Sequence, residues 1–307
     1  MNPSRPRNVE ASVRQRLLNL ARKRGEDFQV VVRHYALERF LYRLSRSDYR
    51  HQFVVKGAML FSLWSEEVHR MTWDLDLLGF GEGSPSHIGE VFRELCQVQV
   101  EEDGLVFVED SVRCTRIKEN QVYEGVRVSL LAHLGKIPIP IQVDLAFGDA
   151  VVPTPREVTF SAMLSMPTPC LRAYPREGVV AEKFQSMVTL GMANSRMKDF
   201  YDVWILAKRF RFEGETLCAA IQATFARRRT PLQAEPPLAL TPRFFEDPMK
   251  QTQWAAFVRK GKLISEGASL AEVTSVLMGF LLPPALSLVR NEPFNRFWPP
   301  GGPWQLS

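Results

Sequence analysis

The sequence predicts an α+β fold: a mixed sheet with flanking helices, followed by a C-terminal helical domain. Three observations carry this reading. Apolar residues recur at three- and four-residue spacing up to Leu44. From Phe53 to Phe147 short alternating or branched apolar runs dominate, and after Pro175 the helical spacing returns. That order of helices, then strands, then helices is the pattern of an α+β core with a helical second part.

Residues 9–24 and 27–45 read as helices, the second carrying Phe28, Val31, Val32, Tyr35, Ala36, Phe40 and Leu44 on one side. Phe53 to Lys56 reads as a short strand that stops at Gly57, and Ala58 to Trp64 as an apolar helix. Trp73 to Leu78 alternates, with Trp73, Leu75 and Leu77 facing one way and Asp74 and Asp76 the other. A helix is expected over 87–98, then strands over 105–109, 111–118 and 122–133, with Glu119-Asn120 as a hairpin signal. Ile137 to Phe147 is a further strand ending at Gly148-Asp149, and the proline-rich stretch from Val151 to Pro175 an extended connector. Helices follow over 176–190, 196–210, 213–229, 249–260 and 268–281, with an irregular proline-rich tail from Pro283 onward. The expected domains are basic N-terminal helices (1–50), a sheet-containing core (51–165) and a helical domain (166–307).

Composition excludes several classes. Hydrophobic residues make up 45% of the 307 and net charge is only +5, so global disorder is excluded. The four cysteines are scattered without a CxxC pair, and the five histidines lack HxxxH spacing, which argues against zinc or a disulfide framework. No apolar stretch follows the basic N-terminus and no run approaches a membrane span, so neither a secretory signal nor a membrane partner is expected. The scattered thiols read as reduced core residues, and cytoplasmic localisation is expected from them. Residues 1–50 hold 12 Lys+Arg against 5 Asp+Glu, leaving 27 against 29 in the remainder. The basic excess is therefore N-terminal, where it suits either a solvated helix pair or contact with phosphates.

Asp74 and Asp76 project from one face of an apolar strand pattern. Two adjacent carboxylates repel unless a cation lies between them, and oxygen ligands without His or Cys suit Mg²⁺ or Mn²⁺. In Ile139-Pro140-Ile141-Gln142-Val143-Asp144-Leu145, Asp144 faces opposite to the branched residues. If that strand lies beside Asp74 and Asp76, three carboxylates converge, enough to hold two metal ions for activating a hydroxyl and binding a triphosphate. Upstream, Lys56-Gly57-Ala58 closes a strand and opens a helix, placing small residues where a phosphate can approach the backbone. This order of glycine turn, helix and Asp-x-Asp strand resembles the DNA-polymerase-β-like nucleotidyltransferases.

The resemblance narrows downstream. Arg70-Met71-Thr72-Trp73-Asp74-Leu75-Asp76-Leu77, Tyr174-Pro175-Arg176-Glu177, Ala181-Glu182-Lys183 and Arg196-Met197-Lys198-Asp199-Phe200-Tyr201-Asp202 together resemble the AbiEii/AbiGii family of nucleotidyltransferase toxins. The segment Gln253-Trp254-Ala255-Ala256-Phe257 is weakly similar too. The resemblance implies a polymerase-β-like mixed sheet and metal binding by Asp74, Asp76 and Asp144. It implies nucleotide contacts from Lys56, Gly57, Ala58, Lys183, Lys198 and Asp202, with Asp199 near the reacting centre. Where the family usually has Gly-Gly or Gly-Ser, this chain has Gly57-Ala58, which removes a hydroxyl from the turn. Taken only as helix residues, Lys198–Asp202 and Arg196–Asp199 would also suit surface ion pairs.

The implied activity is Mg²⁺-dependent transfer of a nucleoside monophosphate from an NTP to an acceptor hydroxyl, releasing pyrophosphate. By the same resemblance the chain is the toxin of a toxin–antitoxin or phage-defence module, with a cognate antitoxin and the 3′ end of tRNA as acceptor. A small-molecule nucleotidyltransferase and a catalytically silent RNA- or partner-binding scaffold remain as alternatives. Thr72, two residues before Asp74, is a candidate phosphorylation site that would add negative charge beside the carboxylates. Arg227-Arg228-Arg229 suits a helix-end charge cap or a nucleic-acid contact.

Overall fold

Apolar spacing gives the first two helices their inner faces, and polar caps set their starts. In the computed structural model, which describes residues 8–64, 74–119, 123–261, 263 and 268–307, α1 spans Val9–Arg24 and α2 spans Phe28–Arg46. Asn8 accepts the Ala11 N–H and Asp27 the Gln29 N–H, satisfying donors that an uncapped helix leaves open. The chain divides into two units, one of Met1–Gly148 with Arg156–Ala173 and one of Asp149–Pro155 with Tyr174–Ser307.

The first unit is built on a seven-stranded mixed sheet. Its strands are β1 (Phe53–Lys56), β2 (Leu75–Gly79), β3 (Leu105–Glu119), β4 (Tyr123–Leu134), β5 (Ile137–Phe147), β6 (Arg156–Thr159) and β7 (Cys170–Ala173). They lie in the order β3-β4-β5-β2-β1-β7-β6, with β2–β5 and β1–β7 parallel and the other pairs antiparallel. A 3₁₀ turn at Gly57–Leu60 and α3 (Phe61–Trp64) follow β1, and α4 (Pro85–Gln97) follows β2. Within the core Phe40 stacks on Phe92 at 5.5 Å and meets Phe107 at 5.4 Å, joining α2, α4 and β3.

Because α2 is buried along most of its length, its charged residues must find partners inside. Arg43 grips both oxygens of Asp103 at 2.6 and 3.2 Å, and Arg39 reaches the same carboxylate at 3.3 Å. Arg39 also donates to the Pro167 carbonyl, while Glu38 accepts the Met163 N–H. This buried network thus ties the segment between β6 and β7 to α2.

Three expectations for this unit are corrected. The strands expected at 105–109 and 111–118 are one strand, β3, with a register shift between Val108 and Arg113. The apparent break is a bulge, across which the Ser111 hydroxyl donates to the Val108 carbonyl and accepts the Leu131 N–H. The extended connector over 151–175 contains β6 and β7, because its prolines flank those strands and do not interrupt them. The single helix expected over Ala58–Trp64 is a 3₁₀ turn followed by the one-turn α3.

The second unit contains α5 (Arg176–Leu190), α6 (Met197–Arg209), α7 (Gly214–Arg227), α8 (Pro242–Phe245), α9 (Pro248–Gly261) and α10 (Leu270–Arg290). A small sheet joins β8 (Phe212–Glu213), β9 (Arg296–Trp298) and β10 (Gln305–Leu306), so the tail expected to be irregular is partly paired. The last helix, expected to stop at 281, continues through Pro283 and Pro284 to Arg290. Pro284 has no N–H to give the Phe280 carbonyl, and the Trp304 indole N–H donates to it instead at 3.0 Å. Phe280 is stacked on Trp304 and tilted against Trp298 and Phe212.

The expectation that no run approaches a membrane span is also corrected. No residue from Val273 to Val289 is charged, and α10 is long and apolar enough to cross a membrane by length and composition. Its Leu270, Val273, Leu277, Phe280, Leu281 and Ala285 are nonetheless buried, at the spacing of a core helix, and it packs on α6 and α7.

Burial pushes Glu38 up to about 7, against the Met163 N–H and the Arg39 charge, which pull it down. A raised carboxyl pKa contributes stability in the acid range that is lost as pH rises from about 4.5 through about 7. Thermal melts across pH 5–8 are therefore expected to show a smaller fall in Tm for Glu38→Gln than for the native chain.

Candidate active site

The sheet register places one row of charged residues across four neighbouring strands. Lys56 of β1 pairs with Asp76 of β2, Asp76 with Asp144 of β5, and Asp144 with Arg127 of β4. Directly paired residues point to the same side of a sheet, so the sequence of charges along this face is plus, minus, minus, plus. Asp74 lies two residues before Asp76 and shares its face. Asp74, Asp76 and Asp144 are each half-buried, and each offers an oxygen within 4.8 Å of the others.

Gly57 closes the space beside this row. Its φ is +70°, and a Cβ built there would lie 1.9 Å from Asp76 Oδ2. Only glycine allows both the left-handed backbone and the approach of the carboxylate. Lys56 and Ala58 on either side are buried.

Arg127 is the member of the row that sequence reasoning missed. Its Nε donates to Asp144 Oδ1 and its NH2 to Asp144 Oδ2, both at 2.8 Å. The bond to Asp144 holds the Arg127 guanidinium above its ordinary pKa despite partial burial, and the charges of Asp144, Asp74 and Asp76 add to the effect. No motif announces this arginine; only the register of β4 against β5 makes it visible. The donor set of the cluster is three carboxylates with no His or Cys, which fits a hard divalent cation such as Mg²⁺ or Mn²⁺.

A second constellation lies in the second unit. Lys183 of α5 donates to Asp199 at 2.6 Å and sits 2.9 Å from Asp202, both on α6. Arg196 reaches the other Asp199 oxygen at 2.7 Å. The Arg196–Asp199 pair that helical spacing suggests is present, but both aspartates are fully buried, and Asp202 pairs with Lys183 of α5. Lys198 stands apart from it, exposed on α6. Burial would raise the Asp199 carboxyl, but Lys183, Arg196 and the hydrogen bond from Lys183 outweigh it and Asp202 together, and its pKa lies below the usual value.

The start of α6 is fixed from another helix. Asn194 accepts the Arg196 N–H through its side chain, and the buried Lys250 of α9 donates to the Asn194 carbonyl at 3.0 Å. Beside the cluster, Glu182 accepts the Tyr174 hydroxyl at 2.5 Å and lies 3.5 Å from Arg228. Arg228 also meets Asp149 at 3.4 Å and donates to Gln185. Of the arginine triplet, then, Arg228 is committed to internal ion pairing. Arg70 to Trp73, including Thr72, and Asn120 of the hairpin signal lie outside the described residues.

The AbiEii family model, described as nucleotidyl transferase AbiEii toxin of type IV toxin–antitoxin systems, matches residues 39–267. Among solved structures the chain is similar to JHP933 from Helicobacter pylori, at 12% identity and a TM-score of 0.48, covering 86% of this chain and 95% of that one. A second H. pylori chain, provisionally assigned as a nucleotidyltransferase, is similar at 12% identity and a TM-score of 0.48, covering 86% and 98%. No curated protein matches the chain significantly.

Two expected outcomes test these local arguments. Gly57→Ala forces a left-handed alanine against Asp76, a backbone cost of about 1–2 kcal/mol before the clash is relieved, and is expected to lower Tm and to weaken Mn²⁺ binding measured by calorimetry. Lys183→Met leaves Asp199 and Asp202 buried without their lysine, expected to cost about 3 kcal/mol in denaturant unfolding. Adding Asp199→Asn to that variant should restore part of the loss.

Proposed function

The chain belongs to the AbiEii family of nucleotidyl transferase toxins, and from that premise we propose that it transfers a nucleoside monophosphate from an NTP to an RNA hydroxyl, the 3′ end of tRNA being the acceptor. The observation that carries the proposal is the convergence of Asp74, Asp76 and Asp144 within 4.8 Å on the face closed by Gly57. These three carboxylates would hold Mg²⁺, or Mn²⁺ in its place. When bound, the ion would supply charge neutralisation on the phosphates and would lower the pKa of the attacking hydroxyl.

The residues of the chain have separate tasks in this reading. Gly57, having no side chain, lets the Asp76 carboxylate lie against the turn that follows β1, which would keep that carboxylate in place for the ion. The acceptor oxygen forms a bond to the α-phosphorus, the bond to the pyrophosphate oxygen breaks, and the hydroxyl proton passes to solvent or to a carboxylate. Lys183, matched to the family lysine, would supply a point charge to the triphosphate. Asp199 and Asp202 fix the direction of that lysine, while Lys198 would add a second cation for the nucleotide. Phosphoryl transfer depends on positioning and electrostatics more than on covalent help, and the chain offers those means.

The RNA acceptor is supported by charge. Arg14, Arg16, Arg22, Lys23 and Arg24 are exposed on α1, and phosphate contacts dominate nucleic-acid affinity. We place the activity in the cytoplasm, as the toxin of a module with a cognate antitoxin.

Incubating the protein with Mg²⁺, each labelled NTP in turn and total tRNA tests the reading. Label is expected on tRNA with the native chain and absent with Asp74→Asn/Asp76→Asn. Label on a small molecule or on protein would replace the RNA acceptor. RNA binding without label transfer from any NTP would favour a silent scaffold.

A further inference from the structure

Beside the strands that carry the carboxylates, the row of charges contains its own counter-ion. Arg127 and Asp144 are paired residues of β4 and β5, so the backbone ladder holds their side chains opposite one another. The guanidinium uses two parallel N–H groups, one for each Asp144 oxygen, at 2.8 Å. This is the strong, planar form of an arginine–carboxylate pair. Gln142, two residues before Asp144 on the same face, lies at the edge of hydrogen-bond distance at 3.4 Å. The Arg127 side chain is 41% exposed and that of Asp144 19% exposed, so the pair sits at the rim with one side of the guanidinium open to solvent.

We propose that Arg127 is a resident counter-cation of the carboxylate cluster: it occupies Asp144 in the free protein and competes with the divalent ion for it. The inference rests on the metal-binding reading of Asp74, Asp76 and Asp144 given above. Its physical basis is simple. A carboxylate whose two oxygens already serve one cation gives a second cation less, and the two positive charges repel across that group. Without Arg127 the three carboxylates would face one another with one cation fewer in their row. The arginine therefore keeps the free site folded and lowers its appetite for metal.

Arg127 is in this sense a positioning residue: it acts on the ion through Asp144. When the ion takes its share of Asp144, the guanidinium has hydrogen-bonding capacity to spend on another anion. A nucleotide phosphate is the anion that the proposed reaction brings to this face. Metal and nucleotide would then bind cooperatively, each easing the entry of the other, with the coupling carried by Arg127.

Mn²⁺ binding to the nucleotide-free protein, followed by calorimetry and by electron paramagnetic resonance of the free ion, tests this without any turnover. Arg127→Met is expected to bind Mn²⁺ roughly tenfold more tightly than the native chain, the scale of removing one nearby unit charge from a divalent ion at the protein surface. Its melting temperature without metal should be lower and its rise on adding Mn²⁺ larger. Adding a non-hydrolysable NTP analogue should tighten Mn²⁺ binding in the native chain and do so much less in Arg127→Met.

Arg127→Gln, which keeps one hydrogen-bond donor and loses the charge, should follow Arg127→Met in direction and serves if the methionine variant fails to fold. Unchanged or weaker Mn²⁺ binding in both variants overturns the inference while leaving the metal site intact. If the native chain shows no Mn²⁺ binding that Asp74→Asn/Asp76→Asn removes, the metal reading fails, and the inference with it.

Discussion

The pairing of β2 with β5 is the constraint on which the first unit's chemistry depends. Asp76 and Asp144 come from segments far apart in the chain, and only the parallel register Asp76↔Asp144 makes them neighbours. The other two memberships of the row follow from it, since β1 adds Lys56 on one side and β4 adds Arg127 on the other. Backbone hydrogen bonds thus oppose the electrostatic cost of two adjacent carboxylates. The flanking cations reduce that cost, and the glycine at position 57 leaves the room that the Asp76 carboxylate takes up. Each of these parts loses its reason if the register changes.

The second unit solves a different electrostatic problem by burial. Asp199 and Asp202 are held inside with the mostly buried Lys183, and Arg196 reaches in to Asp199 from a partly exposed position. Buried ions are costly, and such a cluster persists because its members satisfy one another. Lys250 and Asn194 extend the arrangement by fixing the turn from which Arg196 projects. The integrity of this cluster therefore depends on α9 as much as on α5 and α6.

Much of this architecture was legible in the residues. Helical spacing located α1, α2, α5 and α6, and the alternation in Ile137–Phe147 gave β5 and the face of Asp144. The failures have physical causes. Ser111 bridges a bulge that breaks the strand period locally without ending β3. Pro283 and Pro284 read as a helix stop because the indole that replaces the lost donor comes from twenty residues downstream, at Trp304. Arg127 carried no signal of its own, because an arginine alternating with buried apolar residues on a strand is ordinary until its cross-strand partner is known. Local chemistry was readable; partners supplied by another element were not.

The row of charges also behaves as a ruler. The separation between Asp76 and Asp144 is set by the spacing of neighbouring strands, about 4.8 Å in any sheet, and owes little to side-chain packing. Natural variation in this unit should therefore treat substitutions and length changes very differently. Replacing an apolar residue of β5 by another leaves the graduation of the ruler untouched. Inserting or deleting a single residue between Ile137 and Asp144 turns Asp144 to the opposite face of the sheet. Length changes belong instead at the tight turn around Gly135, which lies outside both β4 and β5 and can absorb them without moving Arg127 or Asp144 along its strand.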